Sequence, residues 1–422
     1  MKTFLLTLAG IGSLSALVER PVRFDSYKAV EFLEPTPALK EVLEARNADI
    51  WEFDGEKISA FIDSKTLQEI KELGFKQFKE LEVNIQGLVD QETFRINSAE
   101  SEVKSFETSD WFKEYHRYEE IVLWYRGLAK KYPELVRISP VTGISHEGRE
   151  LFSVSIGPKS NSVVKKQVYI QSLQHAREWI GGATTQFIVN KLLESFESSY
   201  EVQSLLNEIE LIVVPVMNPD GYEYTWTTNR MWRKNRRAGQ QGMGVDLNRN
   251  WNDHWGEGGS SSDPRSDTYK GPSAASEPEV KFAESVLLSC SNLIAAIDYH
   301  SFSQLVLRPS GWTRIDPKHN EQHKKAADVI SNTIRSVSGL SYKNQKSVEL
   351  YLTTGSLSDF TYGQIMYEAI GRPIYSLTIE LRPSSMFAGG FVLDPKYIIP
   401  TGEENYAAFI NFLRFILENP LE

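Results

Sequence analysis

Hydrophobic positions in the first hundred residues fall into short runs that switch period several times. Tyr27–Leu33, Ala48–Phe53, Lys57–Ile62 and Lys76–Val83 read as strands, whereas 37–46 and 64–73 carry apolar residues at helical spacing. Gly55 is expected to turn the middle hairpin. The order strand, helix, strand, strand, helix, strand between Val22 and about Asp90 predicts a small open-faced α/β sandwich. The stretch 91–107 is polar with few large apolar residues, which predicts a connector or an exposed helix. Beyond Trp111 an amphipathic helix through Lys131 leads into a longer region. There Leu151–Ile156, Gln167–Ser172, Ile209–Val216, Leu293–Tyr299 and Ile374–Glu380 are short apolar runs with helical stretches between several of them. This pattern predicts an α/β fold, a mixed, mostly parallel central sheet flanked by helices, preceded by the small open sandwich.

The amino terminus has a different pattern. Met1–Lys2 precede an apolar run from Phe4 that ends in small residues near Ser15–Ala16. That run is too short to span a bilayer, and it predicts a secretory leader over residues 1–16. The alternative, a buried first strand or helix, fits less well because Glu19, Arg20 and Arg23 follow at once. No other segment approaches the roughly 18 uninterrupted apolar residues of a spanning helix, so no membrane partner is expected.

With 422 residues the chain has room for two or three domains without a disulfide or metal staple. The formal net charge of −10 offers no basic field for phosphate backbones, so no nucleic-acid partner is expected. Charge is unevenly divided: residues 17–104 carry 19 acidic and 12 basic side chains. An acidic first module suits either a cover over an arginine-rich site or plain solubility. The lone Cys290 excludes an internal disulfide, a four-cysteine zinc site and an iron–sulfur cluster, and reads as a core residue near a helix end.

The informative chemistry begins at Gln171-Ser-Leu-Gln-His175-Ala-Arg177-Glu178, between an apolar strand and an apolar helix. His175 and Glu178 are three apart, so on an entering helical turn they converge on one point. The pair alone is weak and needs a third ligand. His300 ends the run Leu293–Tyr299, at the carboxyl end of a strand, where open α/β sheets form their sites. Two histidines and one glutamate leave a fourth zinc position for water, a ligand set known from metallopeptidases. His319 and His323 are four apart, but their polar surroundings read as a solvated helix face. His116, His146 and His254 have no partner at ligand spacing.

At these residues the sequence resembles the zinc metallocarboxypeptidases of the carboxypeptidase A/B type in their secreted proenzyme form. Five segments match in order: His175-Ala-Arg-Glu-Trp-Ile, Asn229-Arg-Met-Trp-Arg-Lys-Asn-Arg236, Gly244-Val-Asp-Leu-Asn-Arg-Asn-Trp251, Tyr299-His-Ser-Phe-Ser-Gln-Leu305 and Thr378-Ile-Glu-Leu-Arg382. The likeness runs from about Trp111 to the carboxyl end. It implies a leader at 1–16, an inhibitory propeptide at 17–104 and a catalytic domain at 105–422, with one zinc ion on His175, Glu178 and His300. It further implies Glu380 as general base and Arg233 as the group that stabilises charge on the carbonyl oxygen. Asn248 and Arg249 would grip the terminal carboxylate, Tyr351 would close over it, and Arg177 and Arg230 would line the groove further along. Asp246 would orient a metal-binding imidazole. Without the resemblance, Glu380 reads as an exposed strand carboxylate paired with Arg382, and Asp246 as a loop-capping residue.

The chain departs from the family at several positions. Phe302 stands where many relatives have Tyr, and the paired cysteines common in secreted members are missing, which leaves the loop around Gly242 and Pro264 held by packing alone. Ser358 occupies the position that carries Asp in members cutting basic termini, which disfavours a basic preference. Leu307, Gly311, Leu350, Thr353 and Thr378 would then line a neutral pocket, unless Lys346 points in and favours acidic termini. The resemblance thus implies a monomeric, secreted exopeptidase made as a zymogen. Its partners would be peptide or protein carboxy-termini and an activating protease cutting near Arg95 or Lys104 in the polar connector. Its destination would be the medium, a cell wall or a vacuole-like compartment. Two other readings stay open: a catalytically silent binding or cell-surface protein on this fold, and a zinc hydrolase of small acylated amino acids.

Overall fold

The computed structural model describes residues 20–53, 56–99, 108–139, 143–159 and 164–422. The leader expected at 1–16, the Gly55 turn and the Lys104 cut site lie outside the described residues.

The amino-terminal module is a four-stranded antiparallel sheet of β1 (Tyr27–Leu33), β2 (Asp49–Phe53), β3 (Lys57–Asp63) and β4 (Phe78–Glu80), in the order β2-β3-β1-β4. Helices α1 (Pro37–Ala45) and α2 (Ser64–Glu72) cover one face. Thr36 caps α1 and Asp63 caps α2, each accepting backbone N–H groups of the first turn, so both helices start where the sequence changes period. The buried side chains Val30, Phe32, Ile58, Ala60 and Ile62 meet Leu39, Leu43, Leu67 and Ile70 in one small core. The other face of the sheet turns Ala29 and Phe61 toward the second module. A third helix, α3 (Ile85–Ala99), takes up most of the polar stretch. Arg95 is therefore helical and paired with Asp394 at 2.8 Å, rather than lying in an irregular connector open to a protease.

The larger module is built on an eight-stranded mixed sheet. Its strands are β5 (Val136–Ile138), β8 (Val154–Ile156), β9 (Lys166–Ser172), β10 (Ile209–Val214), β11 (Leu293–Ser301), β12 (Leu305–Arg308), β13 (Lys343–Lys346) and β14 (Tyr375–Leu381); β6 (Gly143–Ile144) and β7 (Glu150–Leu151) form a separate hairpin. The order is β13-β12-β14-β11-β9-β10-β8-β5, with β10, β9, β11 and β14 parallel. The expected run Leu151–Ile156 divides between β7 and β8, and the helix expected from Trp111 to Lys131 starts only at Tyr118.

Both faces of the central strands are covered, which explains their continuous apolar runs. Val168, Ile170, Ile297, Leu377 and Ile379 pack on the helices Trp179–Ser195 and Ile398–Glu418. Tyr169, Ile212 and Ala296 face the helices Pro278–Ser289 and Leu357–Tyr362. Cys290 is buried just past the end of Pro278–Ser289, as its setting in the sequence implied.

The connection after β9 leads to β10 on one side of it, and the chain later returns to β11 on the other. Such a reversal opens a crevice at the carboxyl ends of the strands. The segment after β9 carries His175, the end of β11 carries His300, and the end of β14 carries Glu380.

Candidate functional site

His175 and Glu178 sit in a tight turn between β9 and the helix Trp179–Ser195, with Glu178 at the helix N-cap, so they precede the first helical turn. Gly181 and Gly182 make this approach possible. A Cβ on Gly181 would lie 2.9 Å from the Tyr299 carbonyl oxygen, and one on Gly182 would lie 2.6 Å from Leu173. The helix therefore packs directly against β11, bringing His300 to the same point. His175 Nδ1 lies 2.8 Å from Glu178 Oε1, His300 Nδ1 lies 2.9 Å from Glu178 Oε2, and the two Nδ1 atoms are 3.1 Å apart.

The chemistry of this donor set fits a cation. The Nε2 of His175 faces Asp246 Oδ1 at 3.1 Å and the Nε2 of His300 faces Asp298 Oδ2 at 2.7 Å, so each carboxylate takes an Nε2–H and leaves Nδ1 as a lone pair. Two imidazole lone pairs and a carboxylate then point at one another with no proton donor between the rings. Their spacing is close to the edge of about 3.3 Å in a tetrahedral site with zinc–ligand bonds near 2.0 Å. The field at this point favours positive charge, a proton or a cation. Burial opposes charge on both groups, yet the two rings hold the Glu178 carboxyl well below its usual range, while Asp298 and Glu178 hold His300 well above its own.

Asp298 had no role in the sequence reading. It lies two residues before His300 on β11, hence on the same face, and it is fully buried. Gln171 Nε2 at 3.2 Å and Gln174 Nε2 at 2.9 Å hold its two oxygens in place.

Glu380 pairs in register with His300 across β14 and β11, which puts both side chains on one face beside the cluster. Burial raises its pKa to about 8, Glu178 adds to that, and His300 and Arg233 act against it. Arg382 does not pair with Glu380; it binds Glu404, so the alternative of an exposed Glu380–Arg382 pair does not hold. Asp246 caps a short turn through the Asn248 N–H, as the loop-capping reading implied, and also faces His175 and receives Arg233 Nε and Nη2 at 3.2 and 2.9 Å.

Arg233, Arg249 and Tyr351 line a cavity of about 450 Å³ together with Arg177 and Asp267. Asn248 precedes Arg249 on the same short turn and accepts the Leu357 N–H. Residues 47–50 of the amino-terminal module close the cavity on one side. Asp49 binds Arg177 through two hydrogen bonds, Glu92 of α3 binds the buried Arg230 at 2.6 Å, and Trp51 packs edge-on against Phe302 and Phe391.

Ser358 is buried beside Ser356, 3.3 Å from its hydroxyl, next to Asp359, whose carboxylate accepts the Gly311 N–H and the Ser356 O–H. Thr353 N donates to the Gly311 carbonyl, and Leu307 pairs with Thr378 across β12 and β14, so this part of the expected pocket lining is contiguous in pairs. Lys346 turns away to Arg314 O and Asp316 Oδ1, at 2.8 and 2.6 Å, which removes the cation needed for an acidic-terminus preference.

Three further expectations are corrected. His319 and His323 are buried rather than solvated: His323 donates to His319 O and accepts the Ser376 N–H, filling both ring nitrogens without a metal. His146 does have partners, lying within 4.8 Å of ligand-type atoms of Glu277 and Glu279. The loop around Gly242 and Pro264 is held by more than packing, because Lys234 Nζ donates to Pro264 O and Ser266 O at 2.8 and 2.9 Å.

Comparison with known proteins bears on this arrangement. The family profile described as zinc carboxypeptidase matches residues 121–408. The chain belongs to the zinc carboxypeptidases. It is 36% identical to zinc carboxypeptidase A 1 of Anopheles gambiae over 345 residues, 79% of this chain and 74% of that protein. It is 35% identical to carboxypeptidase B of Astacus astacus over 302 residues, 70% of this chain and 95% of that one. Among solved structures, carboxypeptidase A from Helicoverpa armigera superposes with a TM-score of 0.82 at 27% identity, covering 94% of this chain and 98% of that one. Thrombin activatable fibrinolysis inhibitor gives 0.80 at 27% identity, covering 93% and 100%. This zinc carboxypeptidase is thus a metal-dependent peptide hydrolase with zinc as its cofactor. No described helix is long and apolar enough to cross a membrane.

Proposed function

We propose that the chain is a secreted exopeptidase made as a zymogen, removing single, neutral or hydrophobic residues from peptide and protein carboxy-termini. The observation that carries this reading is the closed cleft: the cavity lined by Arg233, Arg249 and Tyr351 is covered by the amino-terminal module, whose Asp49 and Glu92 occupy Arg177 and Arg230.

His175, Glu178 and His300 hold the zinc, which when bound polarises a carbonyl and lowers the pKa of water. Glu380 takes a proton from the attacking water and returns it to the leaving amine. Burial, which raises its pKa, suits a carboxyl that must hold a proton for part of the cycle. Arg233, kept charged by Asp246, stabilises the negative charge that develops on the carbonyl oxygen. Asn248 and Arg249 hold the terminal carboxylate with the planar guanidinium and an amide donor, and Tyr351, whose ring lies 5.8 Å from the Arg249 guanidinium, closes over it. Ser358 leaves the side-chain pocket without a carboxylate at that position, which favours neutral termini.

Residues 17–104 act as the inhibitory propeptide and 105–422 as the catalytic domain. Thrombin activatable fibrinolysis inhibitor, whose solved structure covers 93% of this chain, is named as activatable, which supports a form that must be activated. The leader-like pattern of residues 1–16 supports export. The test compares the full chain before and after limited proteolysis between residues 99 and 108. Cleaved protein that hydrolyses peptides at least tenfold faster supports the reading, and equal rates refute the zymogen assignment.

A further inference from the structure

The two residues after Arg233 are anchored in opposite directions. Lys234 is buried, and its ammonium donates to Pro264 O and Ser266 O. Asn235 is fully buried, and its amide nitrogen donates to Glu277 Oε2 and Glu279 Oε2 at 2.8 and 3.1 Å. Glu277 is itself fixed by Ser276, Arg237 and His146. The Asn235 side-chain oxygen accepts the Val245 N–H at 2.8 Å, and the Asn235 N–H donates to Val245 O at 3.0 Å. Val245 immediately precedes Asp246.

These bonds add to the loop's own closure, in which the Gly244 N–H donates to Arg237 O at 2.8 Å. Residues 237–244 contain Gly239, Gly242 and Gly244, and Gly244 has φ +81°. A Cβ on Gly244 would lie 2.3 Å from Asn235 O, and one on Gly242 would lie 2.5 Å from Pro264 O, so the loops touch through bare backbone. Arg233 O also accepts the Ala176 N–H at 3.0 Å, which ties the same strand of the loop to the residue beside His175.

We propose that Lys234 and Asn235 are positioning residues for the hydrolysis. Together they fix the Arg233 backbone against Asp246, so that Asp246 stays at hydrogen-bond distance from His175 and Arg233 stays aimed into the cleft. Lys234 staples the 264–266 loop on one side, and Asn235 docks on the Glu277–Glu279 pair on the other. This inference rests on the roles proposed above for Arg233 and Asp246. A misplacement of about 1 Å at such a site costs rate steeply even when it arises away from the chemistry.

The test uses the full chain, activated by limited proteolysis for the kinetic arm. Lys234→Met and Asn235→Asp are expected to weaken zinc at least tenfold in chelator competition and to lower kcat at least tenfold with KM within twofold. Lys234→Arg, which keeps two donors, is expected to restore most of both. Zinc affinity and kcat at wild-type values in the Met and Asp variants would overturn the proposal, whatever happens to Tm, and so would an Arg variant as defective as the Met variant. If Lys234→Met does not fold, Lys234→Arg compared with Lys234→Gln carries the same contrast. A wild-type chain that binds zinc but cleaves nothing contradicts the proposed function instead, and zinc affinity still decides the clamp.

Discussion

Asp49 of the amino-terminal module meets Arg177 of the zinc carboxypeptidase fold in a two-point ion pair, with Nη1–Oδ2 at 2.6 Å and Nη2–Oδ1 at 3.0 Å. The guanidinium is buried and stacks on Phe391, 4.1 Å from the ring centroid. Removing one partner of such a pair leaves a buried charge uncompensated, a loss of about 3–5 kcal/mol where burial is complete. Asp49→Asn is therefore expected to loosen the cover and raise basal peptidase activity of the uncut chain about tenfold or more. An uncut variant as inactive as the parent would assign the closure to other contacts, with the Glu92–Arg230 pair next in line.

Asp298 holds the Nε2 of His300 and is held in turn by Gln171 and Gln174. Asp298→Asn removes the acceptor charge and sets amide donors against amide donors. Zinc affinity should fall roughly 10–100-fold, the usual cost of losing such a partner. Chelator competition measures this directly, and unchanged affinity would make Asp298 a core residue only.

Much of this was legible in the sequence. The central strands announced themselves as apolar runs because both of their faces are covered, and β1 to β3 were found within a residue or two. β13 was missed because its residues Lys343–Lys346 carry no apolar side chain, and β12 because it has only four residues. The helix ending at Lys131 was expected to start too early because Trp111, Phe112 and Tyr115 continue its apolar pattern. A helix start is set instead by Arg117, whose N–H binds Glu120, and by Glu223, which accepts the Tyr118 N–H.

At the site, the meeting of His175, Glu178 and His300 followed from spacing and strand position. Asp298 carried only the two-residue parity with His300, a faint signal inside an apolar run. His323 was misread because its neighbours are charged, although its spacing to Ala326, Ala327 and Ile330 already placed it on the apolar face of the helix Asn320–Ser338. Pairs such as Asp49 with Arg177, 128 residues apart, leave no local trace.

The buried His323 gives stability a pH dependence. Burial lowers its pKa from 6.5 to about 4, so the unfolded chain binds a proton that the folded chain refuses. Its contribution is complete above pH 6.5 and is lost as the pH falls toward 4, by roughly 3 kcal/mol at most. In His323→Asn this part of the acid loss should disappear from denaturant titrations, and proton uptake on unfolding near pH 5 should fall by about one. Parallel pH curves for the two proteins would contradict it.

Ser358→Asp places a carboxylate beside Ser356 in the buried pocket region. Terminal Lys and Arg should then be released faster and terminal aromatic residues slower, changing the ratio of kcat/KM by at least tenfold. A substrate panel differing only in the last residue reads this out, and an unaltered ratio would remove Ser358 from the pocket.

The central claim is most directly tested with the proteolytically activated chain and one peptide supplied with a free terminus and with an amidated one, each with and without chelator. Single residues should be released from the free form alone, and chelator should abolish the release until zinc is restored. Cleavage of the amidated peptide at a similar rate, or release that persists after zinc is stripped, would contradict the account.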